Sequence, residues 1–309
     1  MSPVIAPPES VAANPAVARS TAARAQREPA AVSRLWLLTS SPFFLLFWGA
    51  LAWIATVSVF TPSLVQLYEA RFTWANYLKV FTEPLYASVL WDTIWMAGVG
   101  SALSVVVGYP LALRVARSRG RARDLYIGTL VTVLLTAFIV KLYAWQILLA
   151  ESSPVSGWVQ FLGGPGTLLG TKAGVMIGLV YASLPYSTLS LVPSIDQVPA
   201  SVEEAAACFG AGPMRRFFTV ILPMTSPGMA TALIFAIPLN LSAFLAPLLL
   251  GRGMVQMTAS QIYNASASGG TGSNWPFASA LSITLLVVSI AFTVVSLALV
   301  QRGSRRRSR

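Results

Sequence analysis

Six long apolar stretches, separated by short polar gaps, constrain the fold of this 309-residue chain more than any other feature. A helix needs about 20 apolar residues to cross the hydrocarbon core of a bilayer. Lipid offers no partner for backbone N–H and C=O groups, so a spanning segment must satisfy them internally, as a helix does. The sequence therefore predicts an all-α membrane protein with six transmembrane helices. The predicted spans are residues 42–64, 89–115, 126–149, 173–192, 228–250 and 277–300.

Composition excludes several other classes of protein. Hydrophobic residues make up 55% and charged residues 10% of the chain, against about 25% charged residues in soluble domains. Histidine is absent and Cys208 is the one cysteine, which rules out a disulfide framework and a Cys/His metal site within the chain. The acidic residues are scattered rather than clustered. We therefore expect no metal, no cofactor and no catalytic site in this chain.

The two ends of the chain differ from its apolar body. Residues 1–34 are rich in Ala, Pro, Ser and Arg and have few of the large apolar side chains that form a core, so we predict a disordered cytoplasmic tail. No apolar signal-peptide core precedes Leu35. The six-span domain is predicted over residues 35–301, and residues 302–309 are predicted to form a basic cytoplasmic tail.

The arginines indicate the orientation of the spans, because Lys and Arg concentrate in cytoplasmic loops. Sixteen arginines lie in the two tails and in the gaps after spans two and four, whereas the other gaps hold only Arg71, Lys79, Lys172 and Arg252. This asymmetry predicts that both termini and the gap after span four are cytoplasmic. The asymmetry also accounts for the net charge of +11, so we expect no nucleic-acid partner. The expected partner of the apolar spans is membrane lipid.

The polar gap at residues 196–223 predicts two short helices joined by a sharp bend. Pro199 suits the start of a helix, where its missing N–H has no intrahelical partner, and Ala205–Ala207 are strong helix formers. Gly210 suits a left-handed C-terminal cap, and Gly212-Pro213 predicts a turn before the second helix. The small side chains of the first helix would let another surface approach closely, as in a docking element.

This segment resembles the EAA loop of bacterial ABC importer permeases. The matching residues, at the spacing of that family, are Glu204, Ala205, Ala206, Gly210, Phe217, Leu222 and Pro223. The resemblance implies that the segment docks on a dimeric cytoplasmic ATPase. It also implies that Glu204 pairs with a basic group of the ATPase, that Ala205 and Ala206 pack closely and that Gly210 permits the bend. The alternative is an interfacial hairpin without a partner.

Further segments resemble the spermidine/putrescine-type permeases of that family. They lie, in chain order, at residues 72–77, 108–112, 141–145, 242–251 and 275–277. The resemblance implies a type I ABC importer permease fold in the bacterial inner membrane, with coupling helices between spans four and five. It also implies a second, different permease subunit, an extracytoplasmic solute-binding protein and a polyamine-like solute.

Three positions depart from the family pattern: Lys141 replaces Arg, Leu142 replaces Thr, and Ser242 stands where many members have Glu. Small organic anions and amino-acid derivatives therefore stay open as solutes.

Several residues in or near the spans are candidates for the translocation pathway. Lys141 lies within the third predicted span, and intramembrane charges are costly and often functional. Two polar residues lie between Pro238 and Pro247, where an irregular backbone can line a cavity, and the resemblance adds three aromatic residues. The candidates are Lys141, Tyr143, Trp145, Asn240, Ser242 and Phe244. The alternatives are that the lysine snorkels to the interface and that the polar residues pack helices.

Together these features predict a permease subunit of an ABC importer. The chain has no G-x-x-x-x-G-K-[ST] phosphate loop, so the partner ATPase would hydrolyse ATP and the 196–223 segment would pass its motion to the spans. A secondary transporter or channel without an ATPase is the alternative, although the lack of acidic residues deep within the spans argues against proton or sodium coupling. A membrane enzyme is a third alternative, which is disfavoured because this chain has no histidine, one cysteine and no acidic pair to serve as catalytic groups.

Overall fold

The structure, a computed structural model, describes residues 30–63, 66–151, 153–161, 163–164, 166–267 and 273–307. The chain divides into two compact units at Ile54. Helix α1, Ala30–Val57, makes up the described part of the first unit and extends into the second. It begins within the predicted disordered tail, whose residues 1–29 lie outside the described part. It also ends before the predicted limit of the first span at residue 64.

A two-stranded hairpin follows α1, which the all-α prediction did not include. Strand β1, Phe60–Thr61, pairs antiparallel with β2, Glu69–Phe72, and Phe60 lies opposite Phe72. Helix α2, Ala75–Thr82, comes next. Its Asn76 side chain donates hydrogen bonds of 2.9 Å to the carbonyls of Ser58 and Phe60. These bonds hold the hairpin against α2.

Among the described residues, three helices are long and apolar enough to cross a membrane. They are α3, Pro84–Arg117; the helix at Lys172–Asp196; and the last helix as far as Ala298. Helix α3 has 34 residues, about 51 Å at 1.5 Å per residue. The last helix runs from Trp275 to Arg307. Its backbone therefore continues through most of the predicted basic C-terminal tail.

The third and fifth predicted spans are not continuous helices. The third consists of α4, Arg121–Leu135, and α5, Phe138–Leu148, which meet at 93°. The break contains neither Pro nor Gly. The helix ends there because the backbone becomes extended at Thr136 and Ala137. In the fifth, the helix at Ser226–Leu241 stops and a short helix at Leu245–Leu250 follows.

The remaining helices complete the described chain. After α5 they are α6 Pro154–Phe161, α7 Lys172–Asp196, α8 Ala200–Cys208, α9 Pro213–Arg216, α10 Leu222–Met224, α11 Ser226–Leu241, α12 Leu245–Leu250, α13 Thr258–Ala267 and α14 Trp275–Arg307. Counting α4–α5 as one span, and Pro213–Met224 with α11 as another, the described residues hold up to five candidate spans. The shorter apolar stretch Ser41–Val57 of α1 corresponds to the remaining predicted segment.

Helices α3, α7 and α11 pack against one another, and α14 packs along α11. Small residues allow the close approach. A Cβ atom at Gly228 of α11 would lie 2.5 Å from Cβ of Ser194. Between the three helices, the buried amide of Asn240 lies 3.0 Å from Ser101 Oγ and 3.3 Å from Ser183 Oγ. Close packing and buried hydrogen bonds therefore hold this part of the bundle together.

Candidate coupling segment and transport cavity

The coupling segment comprises residues 196–223. Its first half is helix α8, which ends in a Schellman cap. Gly210 has a φ of 76°, which a residue without a Cβ adopts at little cost. The amide of Gly210 donates to the carbonyl of Ala207 at 2.9 Å, and that of Ala211 donates to Ala206 at 3.0 Å. This pair of bonds defines the motif. The predicted left-handed cap is confirmed, and so is the start of the helix directly after Pro199.

The second half turns at Gly212 and continues as a helix with an irregular middle. Pro213 occupies the first turn of α9, where a missing N–H is tolerated, as the sequence predicts. Between α9 and α10 the chain forms a π-helical turn at Phe217–Ile221. Such turns are rare and often occur at functional sites. The segment then meets α11 at a bend of 66°.

The two neighbouring glutamates of α8 have different environments. Glu203 forms an ion pair with Arg117 at the end of α3. Glu204 is exposed and forms no ion pair with any described residue. Ala205 beside it is also exposed, whereas Ala206 is half-buried. Glu203 is therefore paired within the chain, whereas the Glu204 carboxylate is accessible from solvent.

A second ion pair, from Arg123 to Asp196 at 2.6 Å, joins the start of α4 to the end of α7. The four charged side chains of the two pairs are between 22% and 38% exposed, so solvent screens both pairs and each contributes about 1 kcal/mol or less. The pairs orient the coupling segment relative to α3 and α4. In the sequence these arginines indicate only the topology, and no local pattern marks their pairing with Glu203 and Asp196.

Phe217 connects the coupling segment to the spanning helices. Its ring packs edge-on against Tyr109 of α3, with centroids 5.3 Å apart. The Tyr109 hydroxyl lies 2.6 Å from Thr225 Oγ1, and Thr225 is the residue at the 66° bend. Leu222 packs against the same buried cluster, and Pro223 is half-buried in α10. Sequence patterns alone contain no sign of the Tyr109–Thr225 contact.

Large apolar side chains are exposed around the bend of the coupling segment. Phe209 is 91% exposed and Met214 is 73% exposed. Phe209 immediately precedes the cap glycine and was not among the residues predicted to dock. Exposed apolar side chains within a polar segment are typical of a protein-binding surface.

A cavity of about 380 Å³ lies beside the break between α4 and α5. Its lining residues come from α4, the α4–α5 break, α5, α7, α11 and the start of α12. They are Leu134, Thr136, Phe138, Lys141, Ala182, Tyr186, Leu239, Ser242, Ala243, Phe244 and Leu245. The cavity is in the size range of small-molecule sites, about 300–1,000 Å³.

The cavity brings together three of the six predicted pathway residues, namely Lys141, Ser242 and Phe244. The other three lie elsewhere. Tyr143 is exposed outside the cavity, Trp145 packs on Tyr181 with centroids 5.5 Å apart, and Asn240 is buried in the helix-packing cluster described above. For all six residues a pathway role stays a prediction.

The helical bundle, with two short helices joined by a turn between α7 and α11, is a fold found in solved membrane transporters. Solved bacterial ABC transporters of alginate contain a chain of the same fold, with a TM-score of 0.67 at 13% identity over 90% of this chain and 99% of that chain. A second alginate ABC transporter structure agrees, at 15% identity and the same TM-score.

Residues 104–309 match the family of binding-protein-dependent transport system inner membrane components, and the chain belongs to that family. It is 30% identical over 266 residues to the spermidine/putrescine transport system permease protein PotB of Haemophilus influenzae, covering 85% of this chain and 90% of that protein. The Escherichia coli inner membrane ABC transporter permease protein YdcU is 27% identical, covering 81% and 88%. The protein is therefore a permease subunit of a binding-protein-dependent ABC importer.

Proposed function

We propose that this permease conducts a small polar, polyamine-like solute, driven by a separate ATPase that docks on the coupling segment. The observation that supports docking most directly is the contrast between the two glutamates of α8. Glu203 is occupied by Arg117, whereas Glu204 is exposed with no ion-pair partner among the described residues. A charged group in that state is ready to pair with a basic group of another protein.

The exposed apolar side chains supply the rest of the docking surface. Phe209 and Met214 flank the bend and would fill a cleft in the ATPase, since buried aromatic anchors contribute much of the energy of protein interfaces. Ala205 next to Glu204 is small and exposed, so a partner could approach the helix backbone there.

The motion of the ATPase would reach the pathway through Phe217. A displaced coupling segment would carry the Phe217 ring against Tyr109 of α3 and shift Thr225 at the start of α11. Helix α11 leads directly to Ser242 and Phe244 at the cavity. This chain of contacts supports alternating access in which the cavity opens to one side at a time.

The remaining parts of the proposal concern topology and partners. Both termini and the coupling segment would be cytoplasmic, in line with the arginine distribution. A second, different permease subunit and an extracytoplasmic binding protein would complete the importer. The chain would need no cofactor of its own, because ATP would be hydrolysed by the partner. The relatives named for spermidine and putrescine support an amine as the solute.

The experiment is purification of the tagged chain from its native membrane, with quantification of the copurifying nucleotide-binding protein and of ATP-driven uptake. We expect Glu204→Arg and Ala205→Trp each to lower the copurified ATPase by about tenfold or more, equivalent to ~1.4 kcal/mol. Glu69→Arg, a charge reversal at an exposed acid outside the segment, is the matched control and should have no effect. Retention of both ATPase and transport by the two coupling variants would disprove docking at this surface.

A further inference from the structure

The cavity beside the α4–α5 break has an unusual distribution of charge for an amine pathway. Lys141 is the charged residue among the described lining residues, none of which carries a carboxylate. The Lys141 ammonium donates a hydrogen bond of 2.8 Å to the carbonyl of Val133. No described carboxylate forms an ion pair with it. Because an ammonium has three donors, two remain for another acceptor.

A half-buried charge without a counter-ion favours an anion beside it. Removing a charge from water is costly unless an opposite charge or hydrogen bonds compensate, and the carbonyl of Val133 compensates only in part. A second cation at this position would add repulsion that increases in a low-dielectric wall. The Lys141 end of the cavity therefore disfavours the ammonium group of a simple diamine.

Two hydroxyls in the wall of the cavity favour an ammonium group rather than an anion. Thr136 Oγ1 donates to the carbonyl of Thr132 at 2.8 Å, and Ser242 Oγ donates to that of Pro238 at 2.8 Å. A hydroxyl has one donor and two acceptor lone pairs. Since each proton is already used within its own helix, both oxygens offer only lone pairs to the cavity, and such oxygens accept hydrogen bonds from an amine.

We propose that this cavity binds a solute carrying both a carboxylate and an amine, with Lys141 as the counter-ion of the carboxylate and Thr136 and Ser242 as acceptors for the amine. The inference rests on the proposed function, in which this chain conducts a solute. It assigns that solute to the amino carboxylates, which share an amine with polyamines but also carry a carboxylate. The phosphate of a lipid headgroup is the other source of an anionic oxygen that could occupy the Lys141 end.

The test uses the permease–ATPase complex in lipid nanodiscs, without the solute-binding protein, and three labelled probes with the same four-carbon backbone: putrescine, 4-aminobutyrate and succinate. Equilibrium dialysis without ATP measures the affinity of each. We expect 4-aminobutyrate to bind about tenfold or more tightly than putrescine, and Lys141→Met to remove that advantage. Lys141→Arg should keep it, because the positive charge is retained. Arg71→Met, at an exposed cation on β2, is the control and should leave all three affinities unchanged.

The loss of the amine acceptors is tested separately. Ser242→Ala should reduce the affinity for 4-aminobutyrate more than that for succinate, because only the former has an ammonium group. Succinate binding should in turn depend on Lys141 as strongly as 4-aminobutyrate binding does.

Three results would overturn the proposal. The first is that putrescine binds as tightly as 4-aminobutyrate. The second is that Lys141→Gln and Lys141→Met, which both elute as intact complexes, leave the order of affinities unchanged. Alternatively, mass spectrometry could show that Lys141→Met loses a copurified phospholipid while solute binding is unaffected, which would assign the anion to lipid. Failure of the proposed function is distinct, because it would appear as an absent ATPase in the wild-type preparation.

Discussion

The contact between Tyr109 and Thr225 allows a quantitative prediction about how the coupling segment is joined to the spans. Both side chains are buried, and their oxygens lie 2.6 Å apart. Thr225 Oγ1 also lies 2.9 Å from the carbonyl of Ile221, to which it donates. Its single proton is therefore used, so Tyr109 must be the donor in the contact between the two hydroxyls.

This assignment makes the two single substitutions unequal. Tyr109→Phe removes the donor but leaves Thr225 bonded to Ile221, so we expect a loss of about 1 kcal/mol, the net value of one hydrogen bond. Thr225→Val leaves a buried Tyr109 hydroxyl without its acceptor, which costs about 1–3 kcal/mol. The double variant should be no less stable than Thr225→Val alone, because the stranded hydroxyl is gone.

The assay is a double-mutant cycle on the purified importer, with thermal unfolding for stability and the number of ATP molecules hydrolysed per solute imported for coupling. We expect Thr225→Val to raise the ATP cost per solute more than Tyr109→Phe, with the ATPase still bound. Thr129→Val and Tyr126→Phe, both on exposed positions of α4, are the matched controls. Equal effects of the two substitutions, or an unchanged coupling ratio in both, would refute the donor assignment and the role of this contact.

Two further predictions concern the coupling segment itself. Gly210→Ala should destabilise the cap by about 1 kcal/mol, because a Cβ is strained at a φ of 76°, and should also reduce the amount of copurified ATPase. The control is Gly212→Ala, at a φ of −62°. Equal losses in the two variants would contradict the cap argument. Glu203→Gln should change the free energy of unfolding by less than about 1 kcal/mol, and the effect should disappear at high salt because the ion pair with Arg117 is exposed. If Glu203→Gln reduced the copurified ATPase as much as Glu204→Arg does, Glu203 would also contact the partner.

Much of the coupling segment could be predicted from the sequence because its signals are local. Pro199, Gly210 and Gly212-Pro213 act through their own backbone conformations, and the structure has a helix, a left-handed cap and a turn at those positions. The π-helical turn at Phe217–Ile221 was not among the predictions. Its first residue, Phe217, packs against Tyr109 of another helix, a contact that no local pattern marks.

The cavity could be predicted only in part. Lys141 and Ser242 are about a hundred residues apart in the sequence, and their meeting depends on how α5 and α11 pack. The break at Thr136 and Ala137, beside which the cavity lies, contains neither Pro nor Gly, so no local rule placed it there. Asn240, chosen for its polarity, instead forms hydrogen bonds within the helix packing.

The sequence by itself determined that the chain is a helical membrane protein with a polar, two-helix segment between two of its spans. A lipid solvent leaves the backbone of an apolar stretch one way to satisfy its hydrogen bonds, and the arginines and turn residues act without distant partners. The tertiary structure decided which charges are available and which are used. Glu203 and Glu204 are neighbours of the same chemistry, and only the position of Arg117 at the end of α3 makes one an internal ion pair and leaves the other exposed.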